Sequence, residues 1–373
     1  MRALFVSFML LLFCIAATAQ DAPTQKLNLP PCQKDPRFEL KDRDWPAKFA
    51  EASICLWKND ALAAFSLTID DNCAPDHEWW SEMGKKYDLR FTWFVIAANV
   101  SGSNPGFCGT WEGFAKLQKL GHDVQSHSLT HLHVDGPEWK DIDTEYAESQ
   151  KRIEKNIPDH KVICLAYPGG KNSNLNDPSV AAKYYIGCRG TSGSVNPANK
   201  INYINTSSLS GVINYGDAKF ESQDLKGCLE KDFAKNKTMF RAWYCCHYHQ
   251  AKPDDRAAIE KKLALVAEKA KAGDLWIGLF KEVVKYGQER DTAVLKVKES
   301  SPDKIVISLT DEMKDDIFDF PLTVKVRLDP AWKNLKAEQG GKKLECKTIE
   351  KDGAVFGLID IVPDKGDAVL LKN

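Results

Sequence analysis

No charge of one sign dominates this sequence. Its 51 Lys and Arg stand against 52 Asp and Glu, a net charge of -1, so neither nucleic acid nor an anionic membrane surface is indicated as a partner. Cys-x-x-Cys is missing from the 11 cysteines, which removes the commonest spacing of structural zinc sites. There is no internal repeat and no low-complexity tract, which excludes solenoids and arrays. Membrane-length apolar runs are missing too. The apolar run at the N-terminus, Leu4 to Ala16, is too short to span a bilayer. With Arg2 before it and Ala17-Thr18-Ala19 after it, that run reads as a secretory signal over residues 1–19, cut before Gln20. The mature chain is therefore expected to be secreted, extracellular or periplasmic, with no integral membrane segment.

What is present is an ordinary globular composition, with 43% hydrophobic and 28% charged residues. The length of 373 residues suits one large domain plus a small one, or two medium ones. Without Cys14 ten cysteines remain, an even number compatible with several disulfides in an exported protein, in a pairing that sequence does not reveal. The adjacent Cys245 and Cys246 lie in an apolar run, where simple burial suits at least one of them. Sequons begin at Asn99, Asn205 and Asn236 and matter only in a host that glycosylates.

Residues 20–60, rich in Pro, Lys and Asp, read as an arm wrapped onto the core. From Ala61 short apolar runs alternate with longer amphipathic ones. Strands are expected at 63–69, 91–97, 122–126, 162–167, 185–189, 240–248 and 275–279, and helices at 77–86, 111–120 and 138–156. A further helix opens at Pro253-Asp254-Asp255, repeats Ile259, Leu263, Val266 and Ala270 on one face, and stops at Gly273. Strands alternating with helices over 61–290 imply an α/β domain with a parallel sheet, here a distorted (β/α) barrel. After Arg290 the pattern changes. Short alternating runs at 293–297, 304–309, 322–326, 355–361 and 368–371 are separated by Asp, Gly, Lys and Pro, so residues 291–373 are expected to form a small all-β, sandwich-like domain.

The chemistry concentrates at predicted strand ends. Asp70 and Asp71 close the first apolar run, and His127-Ser128-Leu129-Thr130-His131 follows the third strand. Two His four apart can reach one cation from a helical face or from a strand-to-helix corner, and an Asp completes three ligands. Three protein ligands leave a position open for water, which is the layout of a hydrolytic site. The second Asp is then free to handle protons. Taken singly, an adjacent Asp pair is usually a solvated turn and a His pair often a surface coincidence. Tyr167-Pro168, Arg189 and His249 also fall at strand ends, where barrel active sites gather.

At these residues the chain resembles the polysaccharide deacetylases of carbohydrate esterase family four, the NodB-homology domain. Thr68-Ile69-Asp70-Asp71 resembles the family's Thr-Phe-Asp-Asp motif, and the segment from Gly121 to His131 resembles its Gly-His-Glu-x-x-Ser-His-Thr-x-x-His segment. Ala166-Tyr167-Pro168-Gly169-Gly170 is similar to one form of the third motif, and Tyr248-His249 to the late strand that ends in the catalytic His. The resemblance covers roughly 61–290. It implies Asp71, His127 and His131 as ligands of Zn2+, or of Co2+ or a similar divalent ion. It implies Asp70 as general base, Gly169 as oxyanion donor, His249 as general acid, and acetylated carbohydrate as substrate. Tyr167 and Arg189 are placed on the substrate and oxyanion side.

Three positions depart from the family. Asn72 stands where the family usually has Gly. The Arg that often precedes the third-motif Pro and steadies the base is missing, and Arg189 could fill that role from another strand or be a surface Arg near a Gly turn. The family's fourth motif, often acidic with a Trp, is not placed on this sequence. His247 is a second candidate acid, with a packed core His as the plainer account. His122 and His133 read as structural, and Trp79, Trp80, Trp93, Trp111 and Trp243 read as core more readily than as sugar platforms. The expected activity is removal of acetyl groups from N-acetylated or O-acetylated polysaccharide. The alternatives are an acetylxylan-type O-acetyl esterase and a non-catalytic carbohydrate-binding protein on the same scaffold.

Overall fold

The computed structural model describes residues 39–40, 42–171, 173–211, 213–216, 224–230, 239–332 and 334–372. The expected signal, the beginning of the arm, Cys14, Cys32 and the Asn236 sequon lie outside the described residues. Among the described residues no helix is long and apolar enough to cross a membrane.

Strand β1 (Ala52–Ile54) belongs to the arm. The next eight strands build one parallel sheet: β2 (Ala63–Asp70), β3 (Thr92–Val95), β4 (Asp123–Ser126), β5 (Cys164–Ala166), β6 (Gly187–Arg189), β7 (Leu209–Ser210), β8 (Trp243–Tyr248) and β9 (Leu275–Ile277). Their order is β6-β5-β4-β3-β2-β8-β7, with β9 also paired to β2. The ring is drawn together by residues 203–208. Cys188 and Gly190 donate to the carbonyls of Tyr203 and Thr206, both at 2.7 Å, and Leu209 continues into the pairing with β8. This curled sheet is the expected distorted (β/α) barrel.

Helices α1 (His77–Tyr87), α2 (Pro105–Cys108), α3 (Trp111–Lys119), α4 (Ile142–Asn156), α5 (Pro178–Ala181), α6 (Leu225–Cys228), α7 (Arg256–Lys271) and α8 (Phe280–Thr292) connect and cover the strands. Helix α4 starts later than its apolar pattern suggests, because the Asp141 carboxylate accepts from Thr144 N–H at 2.7 Å and fixes the first turn there. Every residue of β2 is buried, as a parallel strand covered on both faces requires. Its alternate side chains divide between two cores. Phe65, Leu67 and Ile69 point outward to Trp80 of α1, Leu117 of α3 and Leu263 of α7. Ala64 points inward with Phe94, Ala166 and Trp243, onto Trp57 and the Phe280, Val283 and Val284 face of α8. The inward file of β2 continues through Ser66 and Thr68 to Asp70, so the strand carries a polar end to the barrel mouth.

The residues beyond α8 are all-β, as expected. Strands β10 (Val294–Ser301), β11 (Lys304–Thr310), β12 (Leu322–Leu328), β13 (Leu335–Gln339), β14 (Lys342–Lys343), β15 (Cys346–Lys351), β16 (Ala354–Ile361) and β17 (Ala368–Lys372) form two antiparallel sheets. Their order is β1-β12-β16-β15 and β10-β11-β17-β13-β14, and they face one another through Val324, Val326 and Ile359 on one side and Ile305, Ile307 and Leu370 on the other. The arm does more than wrap: β1 pairs with β12, Ala52 opposite Val326 and Ile54 opposite Val324. The sandwich is thus completed by residues from before the barrel.

The expectation of several disulfides is not met among the described residues. Cys55, Cys73, Cys108, Cys164, Cys188, Cys228, Cys245, Cys246 and Cys346 all carry free thiols. Seven are buried and serve as small apolar packing units. Neighbouring ones are kept apart by the sheet itself: Cys164 and Cys245 belong to the inner core, Cys188 and Cys246 to the outer one.

Candidate metal centre and active site

The mouth of the barrel holds a cleft of about 570 Å³ bordered by Asp70, Asp71, His127, His131, Arg189, His247 and His249. The sequence-predicted residues therefore converge, although they come from β2, β4, β6 and β8 and from the loops that follow them.

Asp71 lies just beyond β2 with φ 68, a left-handed turn that swings its carboxylate away from the direction of Asp70. Its Oδ1 is 3.4 Å from His127 Nε2 and 3.6 Å from His131 Nε2. Those gaps are long for hydrogen bonds. They match the edge of a coordination tetrahedron, about 3.4 Å for bonds of roughly 2.0–2.1 Å. Asp71, His127 and His131 are the one group among the described residues whose ligand atoms gather in this way, all within 4.8 Å of one another. Buried Asp71 Oδ1 has no hydrogen-bond partner among the described residues, so the donor set fits a divalent cation. Burial opposes ionisation of Asp71, but its contact with His127 and the charges of His131 and His249 bring its carboxyl down to about 2.

The histidines are preset for that role. His127 is 2% exposed, and its Nδ1 is 2.8 Å from the Ala166 carbonyl. A carbonyl only accepts, so Nδ1 carries the proton and Nε2 offers its lone pair to the cleft. Burial, then the neighbouring His127, lowers His131 to about 4 and keeps it neutral. The His pair lies on a loop, not on a helix face. Ser128, His131 and Leu132 are left-handed, with φ of 63, 63 and 60. That path is held by Glu145 of α4, which accepts from Thr130 N–H at 2.9 Å and from Thr130 Oγ1 at 2.6 Å. Sequence reasoning did not find Glu145; an acidic residue on the buried face of an amphipathic helix was the available signal.

Asp70 is almost fully buried and receives a hydrogen bond from Arg189 Nη2. Arg189 is itself buried, so it is no surface residue: β6 brings it to the steadying position left vacant before Pro168. Burial pushes the Asp70 carboxyl up, yet the Arg189 guanidinium and the nearby His127 and His247 hold it below its ordinary value. Asn72 takes φ 60, the conformation in which Gly is usual and Asn is tolerated, and its side chain locks onto Ile96 through contacts of 2.8 and 3.0 Å. The turn beside the ligands is therefore kept without Gly.

Tyr167 is placed otherwise than its assignment to the substrate suggests. It borders the cleft, but its ring is in the outer core and its hydroxyl donates to the Ile204 carbonyl at 2.8 Å. Gly169 turns the chain at φ 63 with open space where a Cβ would stand. His249 lies one residue past β8, is 56% exposed, and has Nε2 3.7 Å from Asp71 Oδ2. His247 points the same way but deeper, bound to Ser208 Oγ at 2.8 Å. His122 is structural, stacked on Phe91 at 5.4 Å and accepting from Phe91 N–H. Trp80, Trp93 and Trp243 are fully buried, Trp79 and Trp111 pack against the core, and none of the five borders the cleft.

Residues 60–185 match the sequence profile described as polysaccharide deacetylase. The matched residues carry Asp70, Asp71, His127 and His131, so this part of the chain is similar to the polysaccharide deacetylase family. A protein of Bacillus sp. named gellan lyase is 32% identical over 381 residues, covering 96% of this chain, which spans only 15% of that protein's length. Similar solved structures include the Streptococcus pyogenes deacetylase PplD in complex with acetate, at 22% identity and TM-score 0.34 over 39% of this chain and 62% of that one. They also include a family 4 acetyl xylan esterase from Clostridium thermocellum in complex with a cobalt ion, at 14% identity and TM-score 0.36 over 59% and 89%. A family 4 carbohydrate esterase from Streptomyces lividans in complex with acetate follows at 18% and 0.37 over 58% and 92%.

Proposed function

We propose that this protein is an exported metal-dependent hydrolase that removes acetyl groups from polysaccharide. The observation that carries the reading is the asymmetry of the Asp pair. Asp71 faces two preset His nitrogens at coordination spacing, while Asp70 is turned aside and held ionised by Arg189. A site that only bound sugar would need no ionised carboxylate in reserve.

A divalent cation held by Asp71, His127 and His131, Zn2+ first and Co2+ or a similar ion as alternatives, supplies Lewis acidity that acidifies water and polarises the acyl carbonyl. The remaining work belongs to the chain. Asp70 takes a proton from the attacking water as its oxygen bonds to the acyl carbon. The Gly169 N–H donates to the oxyanion. When the C–N or C–O bond breaks, His249 protonates the departing amine or hydroxyl, and acetate and the deacetylated sugar leave.

The test is acetate release from a panel of N- and O-acetylated glycans, with and without chelator, alongside metal analysis. Chelator-sensitive release from N-acetyl glycans is expected. Release confined to O-acetyl substrates, xylan among them, would move the reading to an ester hydrolase. Glycan binding without any acetate would replace it with a carbohydrate-binding protein. Metal content unchanged in both His127→Ala and His131→Ala would remove the proposed centre.

A further inference from the structure

His247 carries an acceptor that finds no partner among the described residues. Strand register sets His247 opposite Thr68, one inward step beneath the level of Asp70, or about 6.6 Å down the strand. Ser208 Oγ donates its only proton to the Gly190 carbonyl at 2.7 Å, so the 2.8 Å contact between Ser208 Oγ and His247 is donated by Nδ1–H. That tautomer leaves a lone pair on Nε2. Nε2 has no hydrogen-bond partner among the described residues, and the ring borders the cleft while being 4% exposed. Burial and the Arg189 charge lower His247 to about 4, against the opposing pull of Asp70, so the imidazole is neutral. Its charged and titratable neighbours are Arg189, Asp70, His249 and His127.

The position matters as much as the tautomer. Asp71 and His249 border the open part of the mouth, where the polymer must lie, and His247 is at the floor. The innermost part of a bound substrate is the acyl tail beyond the carbonyl. A methyl there would cover a bare acceptor and leave it unpaired, whereas a hydroxyl would satisfy it. We propose that this cleft prefers a hydroxyacyl group of the glycolyl type over acetyl, and that His247 Nε2 accepts the hydrogen bond from its hydroxyl. The proposal rests on the acyl-hydrolase reading and narrows its substrate class.

The experiment compares 4-methylumbelliferyl glycolate with the matching acetate on the full metal-loaded chain, so that the leaving group is constant. The ratio of kcat/KM values, glycolate over acetate, should fall about tenfold in His247→Leu, the loss of one hydrogen bond. It should be largely retained in His247→Asn, which keeps an acceptor. Ser208→Ala, which releases the tautomer, should lower the ratio by an intermediate factor. A ratio within twofold of the parent in a folded His247→Leu variant would overturn the proposal. Calorimetric titration with sodium glycolate and sodium acetate gives a readout that needs no turnover. Tighter glycolate binding that is lost in His247→Leu supports the proposal even if neither ester is cleaved, an outcome that would sink the hydrolase reading alone. Equal affinity for the two anions would overturn the proposal by itself.

Discussion

Asp70 and Asp71 are chemically identical and adjacent, and their surroundings separate them. One meets a guanidinium inside the barrel; the other meets two imidazole nitrogens at its mouth. Asp70→Asn should therefore keep the metal and lose turnover by on the order of a hundred- to ten-thousand-fold, the usual scale of general-base removal. Asp71→Asn should lose metal, with activity partly restored by excess zinc. Metal content and acetate release on both variants check this, and an Asp70→Asn protein as active as the parent would reverse it. Arg189→Gln tests the neighbour. Without the guanidinium the Asp70 carboxyl rises, so the acidic limb of the pH–rate profile should move to higher pH. Stability should fall by about 3–5 kcal/mol, as when one partner of a buried pair is removed. An unmoved acidic limb would detach Arg189 from the base. That the Asp pair, His127 and His249 would meet was legible in the sequence because each stands at the end of an expected strand, with His131 four residues beyond His127. Whether Arg189 reached Asp70 was not, since nothing in the sequence states that β6 curls across from β2 to a residue 119 positions earlier. Tyr167 was misleading for a related reason: alternation at the end of β5 sends its side chain outward, to Ile204.

Among the elements, strands buried on both faces were the easiest to read. The missed strands are those without such a signature. β15 shows Cys346 and Ile349 only partly buried and four residues exposed, and the two-residue β7 and β14 have no periodicity to detect. The His-bearing loop was legible as a motif but not as a shape. Left-handed Ser, His and Leu are unfavourable by themselves, so the loop must be held by something distant in sequence. Glu145 holds it. Glu145→Ala removes both acceptors of Thr130 and should weaken metal affinity about 10- to 100-fold, the range seen when groups supporting ligands are lost. Metal titration of the variant measures this. Affinity equal to the parent would mean that the loop keeps its path without the clamp.

At the scale of the whole molecule, pH and chain length probe how the parts depend on one another. His122 and His247 are buried, and burial, first among its causes, lowers each to about 4. The unfolded chain binds their protons near pH 6.5 while the native protein does not, so the unfolded state gains protons first. Stability is full above pH 6.5 and should decline by about 1.4 kcal/mol per unit and per histidine as pH falls toward 4. Carboxylates with lowered values act in the same direction only nearer pH 4. Glu289, which burial pushes well above its ordinary value, acts in the opposite direction. Urea midpoints at pH 7 and pH 5 are therefore compared in a Glu289→Gln background to read the histidines. Equal midpoints would contradict their neutral burial.

Chain length gives the stronger test. The pattern change near Arg290 correctly announced an all-β region, but periodicity reports the local element and says nothing of which surfaces share a core. Helix α8 runs to Thr292 and buries Phe280, Val283, Val284 and Tyr286 in the same cluster as Ile305, Ile307 and Val324 of the sandwich. Strand β1 crosses in the other direction and pairs with β12. A chain ended at residue 290 would lose the sandwich side of that cluster and the partner of β1. Re-exposing such side chains costs about 1.5–3 kcal/mol each, and four of them together are comparable with the roughly 5–15 kcal/mol of net stability of a whole domain. The fragment ending at 290 should therefore fail to melt cooperatively or to bind metal, although it holds every proposed catalytic residue and ligand. The full chain should unfold barrel and sandwich in one transition. Calorimetry and metal binding on the two proteins decide it: a soluble 290-residue fragment with a cooperative melt and intact metal affinity would show that the shared core is dispensable and that the site belongs to the barrel alone.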